Sequence, residues 1–259
     1  MEFHQLKTFL DKRYEEYARE EFIAKDPISI PYRFSVSQDI EIAAFFASIF
    51  AWGRRDIIIA KTNQLMAMMD ESPYDFIKNF EQKDLKKFKD FKHRTFNFED
   101  LCFFLTAFQQ HFKVYDTLEK AFAPIRLNAP TIESSLNHFF DYITSLAPIK
   151  NRTFKHLSAP KKSSACKRLC MYHRWMVRND AVDFGLWKNV QASQLIMPLD
   201  VHVLNSAFKL NLIPQTSKAN WQTACLLTQK LKEIDTNDPV KYDFSLFGMG
   251  VFEKNTNPQ

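Results

Sequence analysis

DIEIAAFFASIFAWGRR, residues 39–55, is the stretch that decides the fold class. Its apolar positions fall on nearly every face of a helix, so it predicts a central buried helix over about Asp39–Ala51. The uninterrupted run from Ile42 to Gly53 is too short to cross a bilayer. Gly53 ends the helix, and Arg54 and Arg55 stand at its exit. The rest of the chain agrees with a helical protein. Its 259 residues hold only 4 glycines but 26 phenylalanines. Tight hairpins, a P-loop or a Rossmann turn would each need several glycines. Hydrophobic residues make up 46% and charged residues 25%, the composition of a globular protein with a sizeable core. The expected fold is all-α, with ten or more helices.

Cap signals mark those helices. A first runs from about Gln5 to Phe22, and a third from Asp56 to Met69. Ser72–Pro73 opens a short one, Asn97 caps one to Phe112, and Thr131 begins one to Leu146. Ser163 or Ser164 caps a helix to Arg178. Asp200 caps one to Leu210, Ser217 one to Ile234, and Asp238–Pro239 starts the last, ending near Gly248. No strand pattern of useful length is visible. The N-terminus lacks the apolar run of a signal peptide. Cys102, Cys166, Cys170 and Cys225 form no C-x-x-C pair and read as reduced thiols of a cytoplasmic protein.

Charge is unevenly spread. The chain carries 35 basic and 30 acidic residues, net +5. From Tyr142 to Asn179 there is no acid, but Lys150, Arg152, Lys155, Lys161, Lys162, Lys167, Arg168, Arg174 and Arg178 are present. A basic stripe on an otherwise mildly acidic chain is the footprint of a polyanion partner, the alternative being a solvated lysine-rich surface. Within it, KKSSACKRLCMYHRWMVR places Ser163 and Ser164 at a helix start, where backbone N–H groups seat a phosphate. Lys167 lies in the first turn, where the helix dipole and the neighbours Lys162 and Arg168 disfavour its ammonium form. That is what a nucleophilic amine needs. Lys167, Met171, Arg174 and Arg178 share one face, whereas Ala165, Leu169, Tyr172 and Met176 face the core. Asp200, after Pro198, is an ionised N-cap suited to stabilising a developing cation. The plainer readings are a structural cap and an exposed or phosphate-contacting lysine. His202 either contacts phosphate or sits beside Asp200. Cys166, Cys170 and His173 form one helical stripe, but with no fourth ligand nearby they read as packed core groups. No metal and no cofactor is expected.

A lysine after a hairpin, followed by P-x-D-x-H opening a helix, resembles the helix-hairpin-helix DNA glycosylase superfamily of endonuclease III. PLDVHV at Pro198–Val203 is similar to its VDTHV-type motif. The resemblance implies a DNA repair enzyme, a glycosylase with β-lyase activity, in which Lys167 attacks the sugar C1′ and Asp200 assists. It implies DNA contacts from Lys161, Lys162, Ser163, Ser164, Arg168, Arg174, Arg178, Arg54, Arg55 and His202. HLSAPKKSSACK holds no glycine where the usual hairpin is glycine-rich, and the interval from Lys167 to Asp200 is long. Both features resemble the archaeal 8-oxoguanine branch. That branch lines its base pocket with an aspartate and an aromatic four residues on, which DPVKYDFSLFGMG matches with Asp243 and Phe247. Trp52 is placed near the base in the same way. The cysteines that close an iron–sulfur cluster in endonuclease III have no counterpart. The DIEIAAF…GRR, ACKR…RWMVR, PLDVH and DPVKYDF blocks also resemble an uncharacterised bacterial family over most of the chain. The implied arrangement is a lobe of 36–179 bearing Lys167, and a lobe of 1–35 plus 180–259 bearing Asp200 and Asp243, with one cleft. The implied partner is double-stranded DNA containing a damaged base, bound by a monomer away from any membrane. The alternative is a non-catalytic DNA- or RNA-binding protein of the same fold.

Overall fold

The structure is a computed structural model that describes residues 2–123 and 129–252. Its α-helices are α1 (Phe3–Tyr17), α2 (Glu20–Ile23), α3 (Ser37–Phe50), α4 (Arg55–Met68), α5 (Pro73–Asn79), α6 (Phe98–Phe112), α7 (Glu133–Leu146), α8 (Lys167–Val177), α9 (Val201–Lys209), α10 (Trp221–Lys232) and α11 (Asp243–Phe252). The fold is all-α apart from one hairpin of two-residue strands, β1 (Lys92–His93) and β2 (Phe96–Asn97). No described helix is long and apolar enough to cross a membrane.

The chain divides into two compact units. The second is built from residues Ile23–Ile125 and Ser134–Ser158. Its centre is α3, with every residue from Asp39 to Phe50 buried. Phe45 meets the rings of Phe108 at 4.9 Å, Phe104 at 5.4 Å and Phe139 at 5.9 Å. Such ring pairs add about 0.5–1.5 kcal/mol each beyond their burial. The acids of α3 are satisfied where they are buried. Asp39 accepts from the Tyr74 N–H at the start of α5 (2.8 Å), and Glu41 accepts from the Leu118 N–H (2.9 Å) and the Thr117 hydroxyl. Gly53 follows α3 at φ +117, a conformation that side chains rarely adopt, and the Arg94 guanidinium fills the space a Cβ would take.

The first unit comprises Met1–Phe22, Arg126–Glu133 and Ala159–Gln259. In it α11 lies against both α1 and α9. Tyr242 donates to Asp11 (2.8 Å) and Ser245 to the Leu10 carbonyl (2.8 Å). On the other side Ser206 of α9 donates to the Leu246 carbonyl (2.7 Å). Gly250 lets the two helices approach: a Cβ there would come within 2.9 Å of the His202 carbonyl oxygen.

This division differs from the boundary expected at Asn179. Helix α8 falls with α9 and α11 rather than with residues 36–158, because its arginines pair with acids at 180–183 and 238–243. Lys167, Asp200 and Asp243 therefore belong to one unit. Two helix boundaries also differ from expectation. Helix α10 is capped by Asn220, whose side chain accepts from the Thr223 N–H (2.9 Å), not by Ser217. The first expected helix ends at Tyr17, with α2 a separate turn.

Candidate active site at the start of three helices

Helix α8 begins at Lys167, four residues later than the earlier of the two expected serine caps. Pro160 opens a 3-10 turn over Pro160–Lys162, and Ser163 then takes a left-handed conformation with φ 57. Cys166, also left-handed at φ 50, holds the N-cap position. Neither serine caps α8. The Ser164 hydroxyl accepts from the Cys166 N–H (3.2 Å), and Ser164 pairs its backbone with Asn220. The segment thus sets Lys167 as the first helical residue.

Asp200 opens α9 as predicted. One carboxylate oxygen, Oδ1, accepts from the His202 N–H (2.8 Å) and the Val203 N–H (3.0 Å). The other, Oδ2, lies 3.7 Å from the Lys167 amine. Both side chains keep some solvent access, at 26% and 20% exposure. Beside them Val201 is 59% exposed, an apolar surface next to the pair. Asp243 is the first residue of α11 and is buried. Burial pushes its carboxyl above the ordinary range; the Arg174 guanidinium and Lys167 oppose this, and Asp200 adds to it. Four residues on, the half-buried Phe247 ring stands edge-on to His202 at 6.0 Å. The His202 ring is also 3.3 Å from the Gly250 carbonyl. An amine, two carboxylates and an aromatic thus gather where α8, α9 and α11 start.

Arg174 and Arg178, expected at a DNA surface, are buried at 4% and 3% exposure. Arg174 lies over the Phe244 ring (4.3 Å), donates Nε to Asp183 (3.3 Å) and donates to Asp243 through a second nitrogen. Arg178 also donates to Asp183, and its Nε donates to both oxygens of Asp238 (2.9 and 3.0 Å). Asp180 is 2.8 Å from the Arg178 guanidinium and accepts from the Tyr14 hydroxyl (2.9 Å). Despite burial, Asp183, Asp238 and Asp180 hold the Arg178 guanidinium firmly charged. Burial pushes the Tyr14 hydroxyl up to about 12. Asp243, Arg174, Asp183, Arg178 and Asp238 form a ladder of alternating charge. These arginines are satisfied internally, which removes them from any DNA surface. The expectation failed because the stretch 142–179 holds no acid of its own. The partners come from later in the chain. Asp180 and Asp183, directly after the acid-free stretch, were the available signal.

The remaining expected contacts divide. Lys161, Lys162 and Ser163 are exposed, and Ser164, Arg168 and His202 are half-buried, all in the first unit. Trp52, Arg54 and Arg55 lie in the second unit. There the Arg94 guanidinium, unnoticed in the sequence, covers the Trp52 ring at 4.9 Å, and Arg54 pairs with Asp56 at 2.6 Å. His173 is fully buried, its imidazole lowered to about 4 by that burial and so neutral. Burial pushes the Cys170 thiol well up. Among the described residues no group of three or more His, Cys, Asp or Glu side chains is placed to hold a metal ion.

A family model described as "protein of unknown function (DUF2400)" matches residues 26–252. The chain belongs to the DUF2400 family. No curated protein and no solved structure matches it significantly. In this DUF2400 chain the match takes in α8, α9 and α11, hence every site residue from Lys161 to Phe247. It leaves out α1, which supplies Tyr14 and Asp11.

Proposed function

We propose that this DUF2400 protein is a DNA repair glycosylase with β-lyase activity, acting on double-stranded DNA that carries a damaged base. The observation that carries the reading is the Lys167 amine, 3.7 Å from an Asp200 carboxylate oxygen at a partly open position in one unit. The damaged nucleotide would be turned out of the duplex. The Lys167 amine, having lost a proton to solvent, would bond to C1′ as the bond to the base breaks, with Asp200 still ionised. The base leaves with the bonding electron pair and takes up a proton. Asp200 stabilises the cationic character that builds on the sugar as the base departs. Opening of the sugar ring gives an imine between Lys167 and C1′. Loss of a C2′ proton then expels the 3′ phosphate and nicks the strand. Phe247 and Asp243 stand beside the pair for the base itself. An oxidised purine such as 8-oxoguanine is the proposed substrate, on resemblance to the archaeal branch. Lys161, Lys162 and Ser163 offer exposed phosphate contacts.

Borohydride reduction tests the imine. Wild type should cross-link to a duplex bearing 8-oxoguanine or an abasic site, and Lys167→Gln should lose at least ~100-fold of that trapping. Equal trapping by the variant overturns the assignment. Salt-dependent DNA binding by wild type without trapping or strand scission would instead make this a non-catalytic nucleic-acid binder.

A further inference from the structure

The buried ladder touches the site at one end only. Asp243 is both the last rung and a neighbour of Lys167 and Asp200. Its Oδ2 accepts from Arg174. Arg174 cannot move freely. It is pressed against the Phe244 ring and tied to Asp183, which is itself fixed by Arg178 and by its own N–H to Asp180 (2.8 Å). A buried carboxylate deprived of the one cation hydrogen-bonded to it takes up a proton rather than stay charged. We propose that Arg174 is a positioning residue of the Lys167 site: it fixes the Asp243 carboxylate in place, and with it the number of anions that face the Lys167 amine. The inference deepens the reading of Lys167 as the reactive amine and rests on it.

The groups that bear on Asp243 are Lys167, Cys170 and Arg174 from α8 and Asp200 from α9. Cys170 is a buried thiol and stays protonated, so it adds no charge. With Arg174 present, the Asp243 carboxylate is held in an ion pair and adds its field to that of Asp200 on the amine. Without it, the buried Asp243 carboxyl is neutral and only Asp200 remains. An anion facing an amine favours the ammonium form, and a neighbouring cation disfavours it. The two roles open to Arg174 therefore predict opposite signs. Acting through Asp243, its removal makes the amine reactive at lower pH. Acting merely as a nearby cation, its removal makes the amine reactive at higher pH.

The test reads the amine without DNA. Full-length protein is methylated with formaldehyde and cyanoborohydride across a pH series, and the Lys167 peptide is quantified by mass spectrometry. In Arg174→Gln the pH of half-maximal methylation should fall by about one unit. Asp243→Asn should fall by a similar amount, and the double variant no further, since both act on one charge. Arg174→Lys, which keeps a cation beside Asp243, should return to the wild-type value. Should Arg174→Gln fail to fold, Asp243→Asn and Arg174→Lys still decide. An unchanged or higher midpoint in Arg174→Gln, additive shifts, or an unmoved midpoint in Asp243→Asn each overturns the proposal. Borohydride trapping on abasic DNA is run in parallel. Shifted methylation without trapping by wild type sinks the glycosylase reading and leaves the Arg174 coupling intact. Trapping with unshifted methylation does the reverse.

Discussion

Asp200 uses its two oxygens for different work, and a pair of substitutions separates them. Oδ1 caps α9 through the N–H groups of His202 and Val203, while Oδ2 faces Lys167. Asparagine caps helices about as well as aspartate, so Asp200→Asn keeps the cap and removes the charge. The lost ion pair is partly exposed and contributes about 0–1 kcal/mol. Asp200→Asn should therefore destabilise the protein by under about 1 kcal/mol. Asp200→Ala loses the cap as well, a further ~1 kcal/mol within a range of about 0.5–2. Trapping should respond differently. If Oδ2 stabilises charge on the reacting sugar, both variants should lose about 10²–10³ in single-turnover rate, the loss typical of removing one electrostatic partner. Urea unfolding followed by circular dichroism gives the first comparison, and a trapping time course gives the second. If Asp200→Asn traps at the wild-type rate, Asp200 is a cap and nothing more. If it unfolds as readily as Asp200→Ala, the division between the oxygens is wrong.

Two further outcomes concern stability. Arg178→Met leaves the buried Asp183 with Arg174 alone and removes the guanidinium that Asp180 and the half-buried Asp238 share, and should destabilise the protein by about 3 kcal/mol; a loss under ~1 kcal/mol by urea unfolding would show that the ladder is not needed for the fold. In the second unit, burial raises the Asp100 carboxyl, but the His156 ring 3.4 Å away and hydrogen bonds from the Thr153 hydroxyl and the Asn97 N–H bring it down to about 2 from an ordinary value of 3.8. A carboxyl lowered by folding stabilises at neutral pH, and that stability, about 2 kcal/mol, is lost as pH falls from near 4 through 2. The stability gap between wild type and Asp100→Asn should narrow over that interval. A gap that stays constant in acid urea titrations would refute the linkage.

Features encoded by short-range chemistry were legible in the sequence. Asn97 and Asp200 cap their helices as predicted, each within three residues of the N–H groups it serves. The all-round apolar character of Ile42–Phe50 placed α3 in a core, and Gly53, three residues beyond the helix end at Phe50, supplies the positive φ of the exit. The meeting of Lys167 with Asp200 was likewise expected. What escaped depends on distance or on unusual conformation. Ser163 and Cys166 both adopt left-handed backbone without being glycine, so no propensity announces that α8 starts at Lys167. The acid-free stretch suggested an exposed basic stripe for a polyanion, but Arg178 finds Asp238 sixty positions away and Arg174 finds Asp243 sixty-nine away. The assignment of α8 to its unit follows from those same pairs, so one missed set of contacts produced both errors.

The union of α1 with α11 has a consequence for how the chain comes into being. Ser245 meets Leu10 across 235 positions, and Tyr242 meets Asp11 across 231. At a ribosomal pace of about 5–20 residues per second, the first helix emerges some 10–50 seconds before the helix that covers it. The stretch that builds the α3 core is complete before α8, α9, α10 and α11 are made. The nascent chain therefore assembles its middle first, and the helix bearing Asp243 is the last to find its seat.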